Sequence, residues 1–244
     1  MKERIQKVLA RANVASRRRV EEMIQEGRVR LNGKRVTELG IKVDTDRDVV
    51  YVNGLHVPLL DEVSTEKIYV LLHKPRDVVT TLKDNFGRKS VVDLIPEYKG
   101  IRMFPIGRLD YDAQGALLLT NDGELSQKLL HPKYKCKKTY LVKVKGNPLP
   151  DDLDKLRRGI YLEDGATGKS EIELHRTTRF NTWLKVTLTS GKYRQLKRMF
   201  FRINNPVMRI LRTDFAGIAL GALPVGHHRE LNKKEIVALK SPEL

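Results

Sequence analysis

The chain has 244 residues, with 47 Lys and Arg against 30 Asp and Glu, a net charge of +17 and a pI near 9.9. That balance points to a polyanionic partner, while a hydrophobic content of 40% fills a compact core and excludes disorder throughout. No run of about 18 apolar residues occurs, and Met1–Val14 alternates charge with Leu and Val, so neither a membrane span nor a secretory signal is expected.

The lone Cys136 has no disulfide partner, and no His/Cys pair has structural zinc spacing. A reducing, cytoplasmic location follows as the expectation. Charge alone does not choose among nucleic acid, an anionic membrane face and an acidic protein.

Residues 1–60 read as a small unit. Ile5, Val8 and Leu9 fall at helical spacing. Ser16 then stands where an N-cap belongs, before an amphipathic segment carrying Val20, Met23 and Ile24 and closed by Gly27. Two short helices are predicted, followed by a small sheet turning at Asn32-Gly33 and Asn53-Gly54. Pro58–Lys67 lacks either period and carries Pro, Ser and mixed charge, which places a linker at 61–67.

From residue 68 to 244 strand-like runs recur at Ile68–Leu72, Ala116–Thr120, Tyr140–Val144, Ile172–Leu174, Trp183–Leu188 and Val207–Leu211. Between them lie predicted helices at Glu124–Leu130, Pro150–Arg158 and Tyr193–Ile203. The mixture lacks a regular βαβ alternation. An α+β domain on a mainly antiparallel sheet with flanking helices is expected.

In the first unit Arg17, Arg18 and Arg19 follow the Ser16 cap, and Arg28, Arg30, Lys34 and Arg35 crowd the following strand and turn. Guanidinium groups beside a helix N-terminus suit a phosphate backbone; a solvated charged face with Glu21, Glu22 and Glu26 is the plain alternative. The order of features in RIQKVLARANVASRRRVEEMIQEGRVRLNGKRV resembles the S4 RNA-binding module. The resemblance implies RNA contacts from Arg17, Arg18, Arg19, Asn32 and Lys34. Asn13 stands where such modules often carry Gly, and Asn tolerates the left-handed conformation.

The most informative segment is PIGRLDYDAQGALLLTNDGE at 105–124. Asp110 and Asp112 form a D-x-D pair that suits a divalent cation, but further hard oxygen ligands are not evident nearby. Asp110 is also a loop carboxylate between Gly107 and Gly115, feeding an apolar strand, a layout suited to catalysis. A structural Asp paired with Arg108 is the bland reading.

GRLDYDAQGALLLTNDGEL resembles the signature of pseudouridine synthases of the RsuA family, which act on ribosomal RNA. KIYVLLHKPRDVVTT at 67–81, KKTYLVKVKG at 137–146 and GKYRQLKRMF at 191–200 are similar to further family motifs, in the expected order. The resemblance implies an enzyme that isomerises uridine to pseudouridine without metal or cofactor, after the nucleotide leaves its stack. It makes Asp110 the essential carboxylate. Arg108 would hold the extruded nucleotide or occupy its vacated space, Tyr140 would stack on uracil, and Lys197 would pair with Asp110 and keep it ionised.

In GKYRQLKRMF, Leu196, Met199 and Phe200 share a helical face and are expected in the core. Arg194, Arg198 and Arg202 would then meet phosphates or solvent. Two departures from the motifs stand out: Asp77 for a usual Gly, and Ser190 for a frequent acidic residue.

His73, His131, His175, His227 and His228 show no nucleophile motif and read as structural or surface residues. Cys136, between Lys135 and Lys137, has a setting that would lower its pKa. The expected partner is a structured loop or helix-loop junction of ribosomal RNA, in an assembly intermediate, met by a monomer with no membrane association. The wording favours the RluB-like, large-subunit branch. The alternatives are the same reaction on small-subunit RNA, a metal-dependent enzyme using Asp110 and Asp112, and a non-catalytic ribosome assembly factor.

Overall fold

The computed structural model describes residues 2–59 and 66–241. The chain divides into two compact units, Met1–Glu66 and Lys67–Leu244. Residues 61–65 of the predicted linker lie outside the described residues.

The first unit runs β1 (Lys2–Arg4), α1 (Ile5–Arg11), α2 (Arg17–Gln25), β2 (Val29–Leu31), β3 (Lys34–Arg35), β4 (Lys42–Asp44), β5 (Val50–Val52) and β6 (Leu55–Val57). Ser16 Oγ accepts the Arg19 amide at 3.1 Å, which caps α2. Asn13 takes φ +58, so the left-handed turn between the helices is made by Asn as expected. Ile5, Val8, Leu9, Val20 and Ile24 pack on Val29, Val43 and Val50, all 0–1% exposed. Strands β3-β2-β5-β6 form one antiparallel sheet, and β1 pairs with β4.

The second unit begins with β7 (Tyr69–Lys74), β8 (Phe104–Pro105), β9 (Gln114–Thr120), α3 (Gly123–Leu130) and β10 (Lys138–Lys145). It continues with α4 (Pro150–Arg158), β11 (Tyr161–Leu162), β12 (Gly165–Ala166), β13 (Ser170–Thr177), β14 (Asn181–Leu188) and α5 (Gln195–Phe201). It closes with β15 (Val207–Phe215), β16 (Ile218–Ala219), β17 (His228–Glu230) and α6 (Lys233–Lys240). The main sheet has the order β13-β14-β10-β15-β9-β7-β17, antiparallel except where β15 meets β9.

Alternation along β7 and β9 explains why both read as unbroken apolar runs. Val70, Leu72, Leu117 and Leu119 enter one core with Tyr140, Val142, Leu196, Met199 and Phe200. Tyr69, Leu71, Ala116 and Leu118 enter another with Leu125, Leu129, Phe215 and Leu239. A sheet covered on both faces needs apolar residues at every position.

One row of paired residues crosses the sheet: Lys74, Gly115, Arg212, Tyr140, Val186 and Ile172. Gly115 has φ +122, and a Cβ there would stand 2.2 Å from the Arg212 carbonyl oxygen. Only glycine lets β9 and β15 approach so closely. Gly115 is the second residue of β9, directly after the loop that carries Asp110.

Candidate active site

Asp110 sits on the loop between β8 and β9, with its side chain 31% exposed. The loop closes on itself through Ala113 N–H donating to the Asp110 carbonyl at 3.0 Å. Leu109 and Ala113 are buried and anchor both sides of the carboxylate.

Two cations from the start of α5 face this loop. Lys197 Nζ lies 3.8 Å from Asp110 Oδ2, and Arg194 Nε lies 4.0 Å from the same oxygen. Arg194 reaches it from a left-handed backbone, φ +47, so α5 begins at Gln195 and not at Tyr193 as the sequence pattern suggests. The apolar side of α5, Leu196, Met199 and Phe200, is buried and fixes the helix on the sheet.

Lys197 hydrogen-bonds Asp112, with both carboxylate oxygens at 2.6 Å. The expected Lys197–Asp110 pair is therefore part of a triad in which Asp112 takes the shorter contacts. Burial would raise the Asp112 pKa, but the hydrogen bonds and charge of Lys197 outweigh it and hold the carboxyl below its usual range. The cation that the D-x-D pair faces is this ammonium. Among the described residues no three His, Cys, Asp or Glu side chains gather as a metal site.

Lys74, at the end of β7, is a residue that the sequence reading did not single out. It is 0% exposed, and its ammonium donates to the carbonyls of Ala113 (2.9 Å), Pro75 (3.0 Å), Asp110 (3.1 Å) and Tyr111 (3.3 Å). Burial pushes its pKa down to about 8, against the pull of Asp112, Asp110 and Asp77. A buried charge satisfied by three carbonyls of the Asp110 loop sets the path of that loop. Its signal in the sequence was a lysine two residues beyond the apolar run Ile68–Leu72.

Tyr140 on β10 is 9% exposed, part of the core and a member of the row through Gly115, and its hydroxyl has no hydrogen-bond partner among the described residues. Arg108 is exposed and makes no ion pair with Asp110 or Asp112. The local pairing considered from the sequence is not what holds it.

The Gly-to-Asp departure at Asp77 is accommodated: Asp77 adopts φ +61, and its N–H donates to the Tyr111 carbonyl at 2.9 Å. Ser190 Oγ donates to the Thr167 carbonyl at 2.9 Å and meets Gln195 Oε1 at 3.0 Å, bracing the approach to α5.

Several other residues have different surroundings from those expected. Arg198 pairs with Asp164 at 2.8 Å and Glu163 at 3.2 Å, and Arg202 with Glu163 at 3.2 Å, so local carboxylates already oppose their charge. Arg19 pairs with Glu22 and Glu26, whereas Arg17, Arg18 and Lys34 are exposed without an ion pair among the described residues. The Asn32 amide donates to Asp48 and accepts from the Val49 N–H, both at 2.8 Å, which occupies it in the turn. Cys136 is buried, and burial pushes its thiol pKa up, which corrects the expectation of a lowered value. His73 is buried between the Leu223 carbonyl (2.7 Å) and the Gln114 amide (3.0 Å), a structural setting.

Residues 68–201 match the model of the RNA pseudouridylate synthase family, and residues 3–49 match the S4 domain. Ribosomal large subunit pseudouridine synthase B of Bacillus subtilis is 46% identical over 243 residues, spanning 98% of this chain and 96% of the relative. The protein of the same name in Yersinia pestis is 37% identical, spanning 96% of this chain and 74% of that one. A crystal structure of a pseudouridylate synthase superposes with a TM-score of 0.67 at 27% identity, covering 97% of this chain and 99% of that chain. No helix among the described residues is long and apolar enough to cross a membrane.

Proposed function

The chain belongs to the RNA pseudouridylate synthase family, in its S4-bearing RsuA/RluB-like branch, and from that premise we propose that it isomerises one uridine of large-subunit ribosomal RNA, with Asp110 as the essential carboxylate. The observation that carries this reading is the position of Asp110. It is a partly exposed carboxylate flanked by Lys197 and Arg194, on a loop whose carbonyls Lys74 gathers. The choice of the large subunit follows the name of the Bacillus subtilis relative.

The reaction is a rearrangement within one nucleotide. The bond from uracil N1 to ribose C1′ breaks, the uracil turns over, and a bond from C5 to C1′ forms. One proton leaves C5 and one is taken up at N1, so atoms and electrons balance without a cofactor. Asp110 acts on the ribose, as nucleophile at C1′ or as base toward the C2′ proton. Lys197 and Arg194 flank the carboxylate and remain beside the site when the uracil departs as an anion.

Tyr140 supplies the ring on which the detached uracil stacks, with a hydroxyl that has no partner among the described residues. Arg108, exposed and without an ion pair among the described residues, supports the extruded nucleotide. The first unit adds sequence-independent affinity through Arg17, Arg18 and Lys34. A carboxylate at this point opposes phosphate binding, so a purely RNA-binding role gives no reason for Asp110.

Pseudouridine mapping by carbodiimide treatment and primer extension, on unmodified ribosomal RNA with wild type and Asp110→Ala, tests the reading. A new stop in large-subunit RNA with wild type alone is expected, and it persists in the presence of a chelator. RNA that is bound but never modified, as free RNA or as assembly particles, would turn the reading toward an assembly factor.

A further inference from the structure

The loop between Val79 and Ser90 has a built tip with no role in packing. Its two ends are joined: Val79 N–H donates to the Lys89 carbonyl (2.9 Å), and Val91 N–H to the Val79 carbonyl (3.0 Å). At the tip, the Asp84 carboxylate accepts the amides of Arg88 (2.8 Å) and Phe86 (3.0 Å) and is gripped by the Arg88 guanidinium at 2.8 Å. The side chain of Asp84 is only 7% exposed. The Arg88 guanidinium lies over the Phe86 ring, 5.0 Å from its centroid, and that ring is 83% exposed.

An ordered loop that holds an aromatic ring out into water offers that ring to a ligand. The same loop carries Lys83, Arg88 and Lys89, which suits a polyanion. Its base is fastened to the loop of Asp110: Thr80 Oγ1 donates to the Leu109 carbonyl at 2.8 Å, and Asp77 N–H to that of Tyr111 at 2.9 Å. Tyr111, next to Asp110 in that loop, is itself half-exposed.

We propose that Phe86, backed by Arg88, is a stacking platform for an unpaired nucleobase of the RNA, next to the uridine that Asp110 acts on. The platform contributes binding and register, and takes no part in the bond rearrangement. An exposed ring with a guanidinium behind it presents a flat apolar face with positive charge at its back, which matches a base joined to phosphates. The nucleotide beside the extruded uridine loses one stacking partner when the uridine leaves, and Phe86 replaces it. This inference rests on the synthase reading for the identity of the ligand.

The test uses the full chain carrying Phe86→Leu or Phe86→Trp, with ribosomal RNA fragments in which 2-aminopurine replaces single bases in turn. Because the ring is exposed, both variants are expected to melt with the wild type. Phe86→Leu should weaken binding about tenfold and should abolish the fluorescence change at one position. Phe86→Trp should retain both. Wild-type affinity and fluorescence in Phe86→Leu would overturn the platform. Since the fluorescence needs no turnover, it is also read in Asp110→Ala. Loss of the signal in Phe86→Leu, with a wild type that never forms pseudouridine, overturns the synthase reading and leaves the platform standing.

Discussion

Lys197 and Asp112 form the shortest ionic contact of the site, with the ammonium 2.6 Å from each carboxylate oxygen and still 3.8 Å from Asp110 Oδ2. One cation thus serves two carboxylates. Asp112 holds Lys197 in place, and Asp110 receives its field.

The two roles separate by substitution. Lys197→Met should lower the single-turnover rate about 100-fold or more, as loss of a charge partner does in a partly dry site. Asp112→Asn should cost at most about tenfold, because the freed ammonium turns to Asp110, and Lys197→Arg should stay near wild type. With Asp112 45% exposed, Asp112→Asn should shift stability by about 1 kcal/mol or less. Equal losses in Asp112→Asn and Lys197→Met would show that Asp112 does more than position the lysine.

Lys74 gives the site a basic limit. Burial puts its pKa at about 8, below the 10.5 of a free lysine. As pH rises through about 8 the ammonium loses a donor to the carbonyls of the Asp110 loop, and turnover should fall. Stability runs the other way. Between about 8 and 10.5 the unfolded chain binds more protons than the folded one, so stability gains with pH relative to Lys74→Met. Urea midpoints of both proteins at about pH 7 and about pH 9.5 measure this. A parallel shift of the two, with a flat rate profile, would contradict it.

Gly115→Ala tests the close approach of β9 and β15. The new Cβ would meet the Arg212 carbonyl at 2.2 Å with φ at +122, so neither backbone has room to give. A loss on the order of 3 kcal/mol or more is expected, read as a lowered Tm. Gly217→Ala, where a Cβ meets nothing within 4 Å, isolates the conformational part of that cost.

Much of this arrangement was legible before any coordinates. The strand runs in β7 and β9 coincide with apolar runs because those strands are covered on both faces, whereas β10 and β14 alternate and send Tyr140, Val142, Val144, Leu184, Val186 and Leu188 into one core. Pro150–Arg158 forms α4 over the residues that its pattern marks. Val207–Leu211 marks only part of β15, which continues to Phe215 because Arg212 is buried with its Nε on the Ala116 carbonyl, a partner that no hydropathy pattern reveals. Helix α6 carries an Asn232–Glu235 capping box, yet its Lys-rich start hid it.

The site divides in the same manner. Asp110 and Lys197 are side chains that meet side chains, and the motifs bearing them are readable as words. Lys74 meets backbone oxygens 36 to 39 residues away, apart from that of Pro75, and a carbonyl carries no residue identity. The pairing of Arg198 with Glu163 and Asp164 was hidden for a different reason, since the acidic turn lies 34 and 35 residues upstream.

The first unit separates free from engaged arginines. Arg17 and Arg18 are exposed and make no ion pair among the described residues, whereas Arg19 contacts Glu22 at 2.8 Å and Glu26 at 2.9 Å. A guanidinium that must leave two carboxylates gains less from a phosphate than a free one. Arg17→Gln and Arg18→Gln should each weaken RNA binding and reduce the slope of log K against log salt by about 0.7 to 0.9. Arg19→Gln should change that slope much less, and it uncovers Glu22 and Glu26, whose charge then repels the RNA at every salt concentration. Equal slopes for all three variants would mean that RNA breaks the Arg19 pairs on binding and draws on the whole cluster.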